Sequence, residues 1–430
     1  MEILSSVLSE AAEPVAELFI VELFLALAIL ILASEFFGTV ARMLGQPRVF
    51  GSLMAGVIIG PNLLNFMGLP FFPEASHHFV EQNIKVLAEL GVMFLMFNVG
   101  LDVHLKELIQ VGKAAIFGGT AGALVPVAVG AAFLLAYDYS MEISIFAGVA
   151  LAATSVSISA QTLVELKVLK SKEGTTVLAS AIVDDILAIL LLSIVTATIV
   201  GQGASSESQS VPLIAFKMFA YLGVATAFAW FVLPVIFAFI GKYYQYLIAP
   251  SAVAWALLFA WSAEEFGGVA AITGAFIAGM GMSQIKSSRI KRSIKAPSNG
   301  ITYAFLAPVF FVSIGLEIDL SNFPMEAVVF SVILLALAVL TKVIGCGLGV
   351  KLAGGLTNVE SLRIGVCMVS RGEVGLIIMN VGFQRAVFVD TGYLSASLLL
   401  VILATTVLTP PLVRWSFGLA DKQKMQVQET

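Results

Sequence analysis

Charge is scarce in this chain of 430 residues: Asp, Glu, Lys and Arg together make up 12% of it, about half the share of an average soluble domain. With 59% of the residues hydrophobic, a water-soluble fold could not cover itself. Cysteine is almost missing. Cys346 and Cys367 lie in apolar runs with no CxxC or Cys/His spacing around them, so neither a disulfide framework nor a zinc site is indicated. Histidine is limited to His77, His78 and His104; none has a matching carboxylate cluster, and all three are expected in surface loops. Residues 1–16 contain Glu2, Glu10 and Glu13 but no Lys or Arg, the reverse of a secretory leader, so the first apolar run is expected to stay in place. The formal net charge of −5 gives no support to nucleic-acid binding.

Long apolar runs fill the space that charge leaves. A helix needs about 20 apolar residues to cross a bilayer, and thirteen such runs can be placed, at 17–41, 49–68, 83–102, 111–137, 142–164, 174–200, 211–241, 246–263, 267–284, 299–316, 325–350, 361–384 and 391–413. An odd number puts the termini on opposite sides. With the N-terminus outside, eighteen of the 23 basic residues fall in cytoplasmic loops or the C-terminal tail, and only Lys85 and Arg385 at outer ends. That asymmetry is the positive-inside pattern. The sequence therefore predicts an all-α polytopic protein of about 13 transmembrane helices, multi-pass in a lipid membrane, with a cytoplasmic C-terminus.

A charge at the bilayer centre costs several kcal/mol and marks function. The sixth run carries Asp184 and Asp185 about ten residues from its start. Neighbours on a helix point about 100° apart, so one carboxylate can face a buried partner while the other faces a water-filled funnel. Lys342, deep in the eleventh run, is available as that partner, because a lone buried lysine would lose its proton or be paired. The twelfth run, RIGVCMVSRGEVGLIIMNVGF, is interrupted by Arg371, Gly372 and Glu373; it reads as a break in which the freed backbone groups and the two charges satisfy one another against protein or water. The fifth run has a weak centre of its own, with Thr154, Ser155, Ser157 and Ser159. Interrupted spans at matching places in two halves point to an inverted-repeat transporter with half-helix ends aimed at an ion site. Glu22, Glu35, Glu89, Glu264 and Glu265 also touch apolar runs, and no role is assigned to them from sequence.

Six segments, GQPRVFGSLMAGVIIGP at 45–61, ELGVMFLMFNVGLDV at 89–103, ATSVSISAQTLVELKVL at 153–169, AIVDDILAI at 181–189, FLAPVFFVSIGLEIDL at 305–320 and RGEVGLII at 371–378, make the chain resemble the monovalent cation:proton antiporter-2 family. Within it the chain is similar to the bacterial Na+/H+ antiporters with two adjacent aspartates, over nearly its whole length. The resemblance implies the Na+/H+ antiporter fold: an inverted repeat with two broken crossing helices, in a homodimer in a bacterial-type inner membrane. It implies scaffold and dimerisation helices in 1–110, a first core transport repeat in 111–200, a linker and further scaffold in 201–324, a second core repeat in 325–418 and a cytoplasmic tail in 419–430. It further implies that the broken helices cross beside Asp185, that Thr154 and Ser155 lie at the first crossover with Arg371, Gly372 and Glu373 at the second, and that Asp184 pairs with Lys342. Two departures stand out. The family often has Glu where Ser52 stands and an apolar residue where Asn98 stands.

The expected activity is exchange of Na+ or Li+ for protons, serving pH homeostasis. No cofactor is expected; Na+ and H+ are the transported substrates. Na+ is a hard cation that takes oxygen ligands, and a carboxylate is a proton site as well, so the two compete for one charge on Asp185 and Asp184. Competition is exchange. The alternative within transport is K+/H+ exchange, whose members tend to have Gln in place of Asp184. From another class, an intramembrane aspartyl protease also puts two aspartates in lipid, but that chemistry needs one carboxylate from each of two helices, so the chain is not expected to be an enzyme.

Overall fold

The computed structural model describes residues 19–428 apart from 62, 104–109, 201–210, 317–324, 354, 373, 376–377, 380–381, 383–386 and 389–392. In chain order its helices are α1 (Ile20–Met43), α2 (Arg48–Ile59), α3 (Glu74–Asp102), α4 (Gly112–Leu135), α5 (Met141–Ala152), α6 (Val156–Glu165), α7 (Lys172–Val200) and α8 (Val211–Phe231). They continue with α9 (Leu233–Tyr243), α10 (Ile248–Ser262), α11 (Ala271–Ser283), α12 (Ser288–Ile301), α13 (Ala307–Leu316), α14 (Met325–Leu352), α15 (Asn358–Cys367) and α16 (Leu394–Gln428). No strand occurs among the described residues.

Among the described residues, ten helical segments are long and apolar enough to cross a membrane. Each of the thirteen predicted runs has a helical counterpart. The three outside the ten are α2 and α11, of 12 and 13 residues, and the run that begins with α15, which stops after ten. Two helix starts fall well before the sequence expectation. The tenth segment begins at Ser288, because α12 is amphipathic, burying Ile290, Ile294 and Ser298 beneath a basic face that an average over apolar residues does not detect. The third begins at Glu74, so His77 and His78 sit in its first turns, not in a loop.

The chain forms two compact units, Met1–Val92 with Gly300–Asn322, and Met93–Asn299 with Phe323–Thr430. In the first, Leu30, Ala55, Ile59, Val80, Val309 and Val312 build the core. Within it Ser34 Oγ donates to Ser52 Oγ at 2.8 Å in the interior; Glu35 is exposed and pairs with Arg48. In the second unit, Phe146, Leu151, Leu334, Ile378, Leu398 and Ile402 enclose an apolar core, and Cys346 and Cys367 are free and buried. Asn98 accepts from Ser298 Oγ at 2.6 Å.

The start of α15 is fixed by two devices. A capping box joins Thr357 and Glu360: the Glu360 N–H donates to Thr357 Oγ1 at 3.2 Å and the Thr357 N–H donates to Glu360 Oε2 at 2.6 Å. Beside it Arg363 donates to Glu173 Oε1 at 2.7 Å, stacks on the Phe417 ring and reaches the carbonyls of Ser416 and Phe417. The Thr357 N–H holds the Glu360 carboxyl below its usual range. A depressed folded value means stability that is present above the unfolded value of about 4.3 and is lost as pH falls through the folded one. In detergent, the wild-type melting temperature should therefore drop below about pH 4.3, and Glu360→Gln should show a shallower drop over that window; equal slopes would remove this carboxylate from the acid sensitivity.

Candidate functional site

Both predicted interruptions are breaks in the structure. The fifth run is helical as α5, extended at Ala153 to Ser155, and helical again as α6. The twelfth ends its helix at Cys367 and runs without helix through Val369 to Gly372. Each break leaves carbonyls and N–H groups without helical partners, and at membrane depth these must be satisfied by protein. The two breaks satisfy each other. The Ser155 N–H donates to the Ser370 carbonyl at 2.8 Å, and Ser370 Oγ donates to the Ser155 carbonyl at 2.6 Å. Ser159 Oγ donates to the carbonyl of Cys367, at the end of α15, and lies 3.0 Å from Ser370 Oγ. The strands of chain approach so closely that a Cβ on Gly372 would lie 2.8 Å from Ser155 Cβ, so the crossing requires glycine there.

Arg371 is fully buried and closes the remaining carbonyls. Its Nε donates to the Leu151 carbonyl in the last turn of α5 at 2.6 Å, and its two terminal nitrogens donate to Val369 at 2.9 Å and to Ala338, on α14, at 2.8 Å. A cation at a helix C-terminus is favoured by the helix dipole. The sequence reading had the freed backbone groups and the charges of Arg371 and Glu373 satisfy one another; Arg371 meets backbone carbonyls from three segments, and Glu373 lies outside the described residues. Thr406, on α16, donates to the carbonyl of Arg371.

The Ala338 carbonyl lies one turn before Lys342 on α14. Lys342 Nζ donates to Asp184 Oδ1 at 2.9 Å, with both side chains buried. The other oxygen, Asp184 Oδ2, is buried with no hydrogen-bond partner, as is Thr154 Oγ1 at the first break. Buried oxygens of this kind are rare and need explaining; hydroxyl and carboxylate oxygens are the donor type that a hard cation takes. Asp185, 8% exposed, faces a different side and lines a cavity of about 20 Å³ with Met96, Val156, Ile182, Thr273 and Phe276, room for about one water-sized guest. Val156 is the first residue of α6, so this cavity opens beside the first crossover. No cluster of three or more His, Cys, Asp or Glu suited to a resident metal occurs among the described residues.

Asp184, Lys342 and Arg371 are thus brought to successive turns of α14 and its neighbours, and Thr154, Ser155 and Gly372 to the crossing. Sequence reasoning passed over Ser370, Thr273 and Thr406. Ser370 could have been found from its place directly before Arg371 in an interrupted span; Thr273 and Thr406 carry no local signal.

Membrane-length helices, two of which break and cross beside a buried carboxylate–lysine pair, define an ion-coupled membrane transporter. The family model for the transmembrane sodium/hydrogen exchanger matches residues 18–415, and the chain belongs to that family. It is 33% identical over 404 residues to the Na(+)/H(+)-K(+) antiporter GerN of Bacillus cereus, covering 93% of this chain and 98% of the relative. It is 34% identical over 398 residues to a Na(+)/H(+) antiporter of Enterococcus hirae, covering 91% and 97%. The solved sodium proton antiporter MjNhaP1 of Methanocaldococcus jannaschii has the same fold, with a TM-score of 0.70 at 17% identity over 91% of this chain and 95% of that one. The chain is a transporter and not an enzyme, and the aspartyl-protease reading is dropped.

Removing one partner of a buried ion pair leaves the other charge uncompensated, at about 3–5 kcal/mol. Lys342→Ala should therefore lower the melting temperature in detergent by several degrees, and adding Asp184→Asn should recover part of the loss. A melting temperature untouched by Lys342→Ala would mean that the pair contributes nothing to stability.

Proposed function

We propose that the protein exchanges Na+ or Li+ for H+ across a bacterial-type inner membrane by alternating access, with Asp185 as the ion carrier. The observation that carries this reading is the buried Asp184–Lys342 pair next to a carboxylate that lines a cavity of its own. A proton and a monovalent cation compete for Asp185. Asp184 and its orphaned oxygen stand ready to join the cation's coordination, releasing Lys342, and Thr154 supplies a further hydroxyl.

In this reading 111–200 and 325–418 form the moving core, and 1–110 and 201–324 form the scaffold through which two copies dimerise. Residues 419–430 form the cytoplasmic tail, and the N-terminus is outside. The exposed apolar stripe of α1, with Val21, Phe24, Leu32 and Phe36, supplies a surface for lipid or a second copy. Thr154, Ser155, Arg371, Gly372 and Glu373 form the crossover; pH homeostasis is the physiological role. K+ as an additional substrate is favoured by one observation, the Na(+)/H(+)-K(+) name of the Bacillus cereus relative.

Three measurements test the scheme in proteoliposomes. Asp185→Asn removes the carrier's charge and hardly its volume, so Na+-dependent proton flux should vanish while the folded protein persists by size exclusion; retained flux would sink the assignment. Two carboxylates and one lysine can trade two protons for one Na+, which moves one net charge per cycle. The equilibrium Na+ ratio should then follow a potential clamped with K+ and valinomycin, by about 2.3 kcal/mol per 100 mV, and indifference to the clamp would establish one-for-one exchange. At fixed Na+, uptake should rise with pH until the carboxylates are deprotonated.

A further inference from the structure

We infer that Glu264 forms a second, peripheral cation site, through which a hydrated monovalent cation reaches Asp185 from the C-terminal end of α7. The inference rests on Asp185 as the carrier. A second cavity, of about 220 Å³, is lined by Ala188, Leu192, Glu264, Gly268, Val269, Ala270, Val374 and Ile378. Among the described residues that line it, Glu264 is the sole ionisable side chain.

The position of this cavity gives it meaning. Leu178, Ala181, Ile182 and Asp185 line the small cavity on α7, and Ala188 and Leu192 line the large one. At spacings of three, four and seven these residues share one helix face, so the two cavities lie in line along α7 on either side of Asp185. The α11 side repeats the arrangement: Ile272, Thr273 and Phe276 face the small cavity, and Val269 and Ala270, just ahead of α11, face the large one. Val374 and Ile378 follow the second break. The large cavity therefore touches three of the chain segments that converge on the carrier. With a rise of about 1.5 Å per residue, its floor at Ala188 is about 5 Å along the axis from Asp185 and its rim at Leu192 about 10 Å.

Glu264 is placed there by backbone geometry. The end of α10 widens into a π-turn at Ala263–Gly267 and is closed by Gly268 in the left-handed region at φ 63°. The Gly268 N–H donates to the Glu264 carbonyl and the Val269 N–H to that of Ala263. A π-turn inside a helix is rare and often sits at a functional site. The next residue, Glu265, is exposed too but does not line the cavity.

An apolar vestibule with one carboxylate concentrates monovalent cations without holding them, since the guest keeps most of its water. Removing that charge weakens capture from one side of the membrane by about two- to fivefold, the worth of one unit charge about 8 Å away in a wet cavity. The test measures half-saturating Na+ in right-side-out and everted vesicles and takes the ratio of the two. For Glu264→Gln the ratio should shift about two- to fivefold toward weaker capture on the side reached by the C-terminal end of α7. Glu264→Asp should restore most of the shift, and Glu265→Gln should leave the ratio where it was. An unshifted ratio for Glu264→Gln, or an equal shift for Glu265→Gln, would overturn the inference. Retained exchange in Asp185→Asn would instead sink the carrier assignment, a separate failure.

Discussion

The structure depends on what happens to backbone polar groups where two helices stop inside a bilayer. Water is not there to take them, and each orphaned carbonyl or N–H costs several kcal/mol. Here the two breaks are mutual solvent: Ser155 and Ser370 trade an N–H and a hydroxyl for two carbonyls, and Arg371 gathers three more carbonyls from α5, α14 and its own segment. Because Ala338 and Lys342 are one turn apart on α14, the arginine that closes the breaks also sets the height of the lysine that meets Asp184. The ion pair and the crossing are one construction.

How much of this was legible depended on how loudly each residue departs from its surroundings. Asp184, Asp185 and Lys342 are charges in apolar runs, and the Arg–Gly–Glu interruption is plain in a span that should be greasy. The family resemblance placed Thr154 and Ser155 at the crossing. Lys342 could be named as the partner of Asp184, but the contacts that join the two breaks were not legible, because hydropathy has no term for contacts between residues 208 to 220 positions apart, such as Ser159 with Cys367 and Arg371 with Leu151. Arg371 is the instructive case. The interruption showed that freed backbone groups and charges would satisfy one another but not which groups; the three carbonyls that suit the planar fork of the guanidinium come from α5, α14 and its own segment.

The same contrast explains the boundaries. The basic helix α12 has no apolar run to announce it, whereas α14, apolar nearly all round, was placed to within a few residues. The short helices α2 and α11 were overextended in the sequence reading, because apolar residues continue past Gly60, where α2 ends, and already precede Ala271, where α11 begins.

The junction of Arg363, Glu173 and Phe417 has a mechanical meaning. It rivets the first turns of α7 and α15 to α16 with a part-buried ion pair and a stacked ring, so the aspartate-bearing helix cannot slide past the broken helix without stranding a charge. Asp102, by contrast, holds Lys295 at 2.6 Å and Lys170 at 3.6 Å with both lysines well exposed. Exposed pairs of this kind are worth about 1 kcal/mol or less and can be exchanged for water. Stiffness is thus concentrated where α7 and α15 begin against α16, and slack is left at Asp102, whose lysines can trade it for water.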